Sequence, residues 1–145
     1  MDRFGLGARP VTDFNPYKYL KAAAAGDVEA MRFLAKEGGD AAMRDNDIAI
    51  MCEALVMARM AYAATGAEAD GGAILSLLGL GLSLSEHGAG SDYTDFWKAE
   101  SIALASLLAD RGCELCAQHL EEFVSSASPE TAAWAKDVRT EMEAI

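Results

Sequence analysis

The chain has 145 residues, 23 acidic against 12 basic, for a formal charge of −11. That length suits one domain with a sizeable core. The lysines and arginines are scattered from Arg3 to Arg139 without a basic cluster, so a phosphate backbone would be repelled and nucleic acid is excluded as an expected partner. No run approaches the ~18 uninterrupted apolar residues of a spanning helix, and the amino terminus lacks the apolar stretch of a secretory signal. A cytoplasmic protein without membrane contact is the expectation.

Alanine supplies 29 residues, whereas Val, Ile and Thr together supply 15. Alanine has the best helix propensity and lets helices approach closely, while so few β-branched residues are thin material for a buried sheet. Residues 1–15 hold two glycines and a proline without helical periodicity and read as an irregular arm. Asn15-Pro16 is a helix start, because Asn accepts an orphan amide and proline's missing N–H costs nothing in the first turn. The first helix is predicted over about Tyr17 to Ala25. Gly26-Asp27 then closes it and caps the next, whose apolar stripe is Val28, Met31, Leu34 and Ala35. Gly38-Gly39 is read as the end of this first pair, about residues 16–37.

The polar stretch Arg44 to Asp47 introduces a longer helix to Thr65, with Ile48, Cys52, Leu55, Met57, Ala58 and Tyr62 among its core candidates. Gly66 ends it. A fourth helix is predicted from about Gly72 to Ser85, completing a pair over about 47–85. Gly79 and Gly81 lie inside it, where each costs about 1 kcal/mol relative to alanine, and close packing is the expected compensation. A phosphate loop at Gly-Leu-Gly-Leu-Ser would need a preceding strand and a lysine that are absent. Glu86 to Ser91 reads as a glycine-rich turn, and Asp92 as a cap. Tyr93, Phe96, Trp97, Leu104, Leu107 and Leu108 mark a fifth helix ending at Gly112, and Cys113 to Ser125 a sixth, giving a third pair over about 92–125. Ser128-Pro129-Glu130 combines a capping hydroxyl, a first-turn proline and an acid near the positive end of the dipole. It starts a closing helix over about 129–143, with Thr131, Trp134, Ala135, Val138, Met142 and Ile145 on one face.

Three glycine turns invite comparison of the pairs. Ala22 to Leu34, Ala69 to Gly81 and Leu108 to Leu120 align, and equating Gly26, Gly72 and Gly112 gives spacings of 46 and 40 residues, within the range of helical solenoids. On the segments YLKAAAAGDVEAMRFLA and LLGLGLSLSEHGAGSDYTDFWKAESIALASLLADRGCELCAQHL, the chain resembles the Sel1-like repeats, relatives of the tetratricopeptide repeat. In the second segment Leu78-Gly79 matches the family's helix-B Leu-Gly, His87-Gly88 to Asp92-Tyr93 its glycine-bearing loop, and Trp97-Lys98-Ala99 its next helix A. The resemblance implies an all-α fold of about seven helices, in antiparallel pairs stacked as a short right-handed superhelix whose inner face binds proteins or peptides. The middle unit departs from the pattern by its long helix and acidic insertion, and its glycine turn can be set at Gly66 or at Gly71-Gly72.

Several residues can carry chemistry. Cys113 and Cys116 stand three apart at a helix start, where the dipole would lower the first thiol's pKa. A redox pair is one reading; a thioredoxin-like site, however, needs a βαβ setting that is absent, and free cysteines packing as small hydrophobes are the simpler expectation. Reduced thiols are also expected from an odd set of three cysteines, Cys52 being the third. Zinc on Cys113, Cys116 and His119 with a remote His87 would converge poorly, because each step of three residues turns the ligand off the first one's face. Paired acids such as Glu121-Glu122 and Glu141/Glu143 read as solvated faces.

The expected function is therefore that of a scaffold or adaptor rather than an enzyme, without cofactor or metal. Arg59, Tyr62, Lys98 and Ser101 are the candidate binding residues, on first helices of pairs, and the negative charge favours a basic partner. The alternatives are a thiol- or metal-dependent activity at Cys113 and Cys116, and a self-associating helical bundle, for which seven methionines and abundant alanine suit helix interfaces.

Overall fold

A computed structural model describes residues 16–86 and 93–144. The arm over residues 1–15 with the Asn15 cap, the loop from His87 to Asp92, and Ile145 lie outside the described residues. Among those described there is no strand, and seven helices form: α1 (Pro16–Ala24), α2 (Val28–Asp45), α3 (Ile48–Thr65), α4 (Glu68–Ser85), α5 (Thr94–Asp110), α6 (Glu114–Ser125) and α7 (Pro129–Glu143). Five of the six connections are two or three residues long, and four of these join helices that pack on each other, α1/α2, α2/α3, α3/α4 and α5/α6, whereas α7 turns back onto α5.

The start and stop signals act as their chemistry requires. The carboxylate of Asp27 accepts the Ala30 amide, that of Asp47 accepts the amides of Ala49 and Ile50, and the Ser128 hydroxyl accepts that of Thr131. Gly26, Gly66 and Gly112 hold φ of 100°, 64° and 103° at the turns inside the three hairpins α1/α2, α3/α4 and α5/α6. This left-handed backbone is open to glycine without the Cβ penalty. The middle turn is thus Gly66, not Gly72, and the intervals become 40 residues from Gly26 to Gly66 and 46 from Gly66 to Gly112. Gly72 lies within α4, which starts four residues earlier than its predicted position, with Glu68 and Asp70 in the first turn near the positive end of its dipole.

The largest correction concerns Gly38-Gly39, which do not end a helix: α2 runs through them to Asp45 and stops at Asn46, whose φ of 52° takes the role a glycine usually fills. A Cβ on Gly38 would stand 2.9 Å from that of Ala54, and one on Gly39 3.0 Å from Leu77 Cδ2. The glycines are there so that α2 can lie close on α3 and touch α4, and this packing outweighs their propensity cost. Gly81 has the reason expected of it, since its Cβ would meet the Met51 methyl at 2.5 Å. Gly79 and Gly72 have nothing within 4 Å, and no contact in the structure calls for glycine at either.

α3 packs between α2 and α4, and α5 is enclosed by α4, α6 and α7. Ten residues of α5 are buried, among them Trp97, Ile102, Leu104, Leu107 and Leu108, so it is the core helix of the carboxy-terminal half. Met51, Ala54, Leu55, Leu78, Leu104 and Leu108 belong to one continuous apolar cluster that joins the halves. α3 is long and apolar enough, by length and composition, to cross a membrane; Met51, Ala54, Leu55, Ala58 and Ala61 form its buried face, while Val56 is exposed. Tyr93 and Trp134 are 62% and 44% exposed, the latter ring lying 5.4 Å from that of Phe96.

Candidate binding groove

A groove of about 470 Å³ opens between α2 and α4, floored by α3. Ala35, Gly39 and Met43 line it from α2, Ala58 and Ala61 from α3, and Ala73, Ser76, Leu77 and Leu80 from α4. It exists because side chains this small cannot fill the space between two helices that both sit on a third. Where Gly39 meets Leu77 the two walls touch; elsewhere the alanine faces leave the space open.

Charged residues stand along the rim and are paired. Arg32 Nε and Nη2 donate to Asp70 Oδ1 and Oδ2, both at 2.8 Å, and the Thr65 hydroxyl donates to Oδ2 at 2.5 Å. Asp70 is 4% exposed, so this bidentate pair, bridging α2 and α4 across 38 residues of sequence, is what makes its burial tolerable. The hydrogen bond from Arg32 holds the Asp70 carboxyl below its ordinary range; burial opposes this, and Thr65 adds to the lowering. Asp70 and Glu29 in turn hold the Arg32 guanidinium above its ordinary value. Lys36 pairs with Asp40 one turn along the same helix at 3.1 Å. Such a site recognises shape and apolar surface, with fixed polar groups at its edge. Among the described residues, no group of three or more His, Cys, Asp or Glu is placed to hold a metal ion.

None of the four residues singled out from the sequence lines this groove. Arg59 forms a two-pronged ion pair with Glu100 of α5, its Nε donating to Oε2 at 2.8 Å and its Nη2 to Oε1. Arg111 donates to the Tyr62 hydroxyl at 3.1 Å. Arg59 and Tyr62 therefore serve an internal seam between α3 and the α5 hairpin. Lys98 is half-buried on α5. Ser101 corrects the expectation of a surface role: it is 1% exposed and donates to the Trp97 carbonyl at 2.8 Å, because its helix face turns into the core. The residues missed, Arg32, Asp70 and Glu100, are polar positions whose partners lie 38 and 41 residues away, a pairing without local signal.

Cys113 and Cys116 depart from the expected free thiols. They are joined in a disulfide, with Cα atoms 5.3 Å apart. Cys113 is also the amino-terminal cap of α6, its sulfur accepting the Cys116 amide at 3.2 Å. Cys52 is free, half-buried, and its thiol pKa is pushed up by burial. His119 does not join the cysteines; its Nδ1 lies 3.6 Å from Glu122. His87 is outside the described residues.

Comparison of the chain with protein-family models, curated proteins and solved structures finds no match.

Proposed function

We propose that this protein is a binding module that takes a protein or peptide segment into the groove between α2 and α4, by shape and a few polar anchors and without catalytic turnover. The observation that carries this reading is the groove itself: an apolar trough of about 470 Å³, floored by alanines and edged by ion pairs. The net charge of −11 favours a basic partner. The reading is supported further by three hairpins that each turn on a left-handed glycine, the arrangement of helical-repeat modules and of the Sel1-like resemblance. In that resemblance the first helices of the pairs would contact the partner, whereas the groove lies between the second helices of the first two pairs.

The test is a competition between the two surfaces. Ala73 is exposed on the groove wall, so Ala73→Trp fills the groove without entering the core. Partners captured by the wild-type chain from its native host should be lost with Ala73→Trp and retained with Lys98→Glu. Retention by the tryptophan variant and loss by the other would move the binding surface to α5.

A further inference from the structure

The disulfide between Cys113 and Cys116 is poorly suited to stapling the fold. It closes a ring over two intervening residues, within the first turn of one helix, and connects no two elements. Cross-links constrain an unfolded chain more as the loop they close lengthens, so this one contributes near the minimum. The other cysteine, Cys52, is free, and no second bridge forms among the described residues.

The same geometry suits reversible chemistry. Cys113 is held in extended backbone as the cap, with φ −78° and ψ 99°, and Cys116 follows at the third helical position. The cap and the helix turn alone set the two Cα atoms 5.3 Å apart, inside the range a disulfide spans. Making or breaking the bond therefore needs no backbone movement. In the bonded form the Cys116 amide points at Cys113 Sγ from 3.2 Å, which places that sulfur at the amino-terminal end of α6, where attacking cysteines stand. The pair sits at the edge of the core, 8% and 6% exposed, in the apolar cluster with Leu104 and Leu108, while Leu115 between them is 62% exposed.

We propose that Cys113 and Cys116 are a redox-active dithiol–disulfide couple that exchanges electrons with thiols of the glutathione type while α6 stays folded. In the reducing direction a thiolate attacks Cys113 Sγ, the bond to Cys116 breaks, and its electron pair leaves on Cys116 Sγ, which takes a proton. A second thiolate attacks the incoming sulfur of the mixed disulfide and releases Cys113. Two thiols are thereby oxidised to one disulfide, and the couple gains two electrons and two protons. This site is separate from the groove and does not depend on its occupant.

The experiment equilibrates the full chain carrying Cys52→Ser with buffers of reduced and oxidised glutathione. Free thiols are then alkylated after an acid quench and counted by mass, with the helical circular dichroism recorded at each point. The expected result is a single two-electron transition between no free thiols and two, with the helical signal unchanged. Cys116→Ser should form one glutathione adduct at Cys113. Three outcomes would each overturn the proposal: a pair that stays reduced in excess oxidised glutathione, a bond that resists excess dithiothreitol until denaturant is added, or a transition accompanied by loss of helix.

Discussion

The two halves of the molecule bury their central helices differently. α5 has α4, α6 and α7 around it and presents Trp97, Ile102 and three leucines to them; large side chains from several directions fill its surroundings. α3 is held between α2 and α4 through alanines and the glycines of α2, and part of its surface floors an open groove. Large side chains close space and small ones bring backbones together while leaving channels between helices. The difference separates a half that is mainly core from a half with a surface to offer.

Two arginines also hold buried carboxylates, Arg32 on Asp70 within the amino-terminal half and Arg59 on Glu100 between the halves. The Arg59–Glu100 pair lies in the α3–α5 seam that joins the halves, so breaking it should have the largest effect. Arg59→Ala leaves the Glu100 carboxylate buried without its partner and should cost roughly 2–3 kcal/mol of unfolding free energy in urea, below the usual figure for a buried pair because the guanidinium is about one-third exposed. A loss under about 0.5 kcal/mol would mean that water takes over the role of Arg59.

Gly38→Ala should follow at about 1–3 kcal/mol, because its new methyl meets the Ala54 Cβ, which cannot move without its helix. Gly79→Ala is the counterpart, an exposed helix position with nothing within 4 Å. It should gain about 0.8–1 kcal/mol and raise the thermal midpoint. Equal effects at the two glycines would break the distinction between close packing and open helix.

Asp70→Asn should lose about 1–2 kcal/mol at neutral pH with the charge-assisted bonds from Arg32. The Asp70 pKa is lowered in the folded chain. Its contribution is therefore fully present above the unfolded carboxyl value near pH ~4 and is lost as pH falls through the folded one. The stability gap between wild type and variant should narrow on acidification below about pH 4, and a gap that is flat down to pH 2 would show that the carboxylate is not the stabilising form.

Much of the architecture was legible residue by residue. Asp27, Asp47 and Ser128 cap the helices they precede, and Gly26, Gly66 and Gly112 turn the backbone where glycine is needed. These are local effects, in which one side chain or one φ angle decides the outcome. Gly38-Gly39 misled for the same reason: a glycine pair marks a break when only its own propensity is counted, and Ala54 and Leu77, which justify it, lie far along the chain.

The candidate site was far less legible than the fold. Arg59 and Tyr62 looked available because they lie on the first helix of a pair, the face the Sel1-like resemblance turns toward a partner, yet Glu100 and Arg111 already engage them. The groove is made by what its residues lack, and the faces of Ala35, Ala58 and Ala73 are indistinguishable in sequence from the many other alanines of the chain. The sequence by itself determined the all-α class, the seven helices and most of their ends, since capping and propensity act within a turn. Only the tertiary structure decided which alanine faces meet and which leave a groove, and which arginine holds which buried acid. Those outcomes depend on the distance between helices, which no single segment sets.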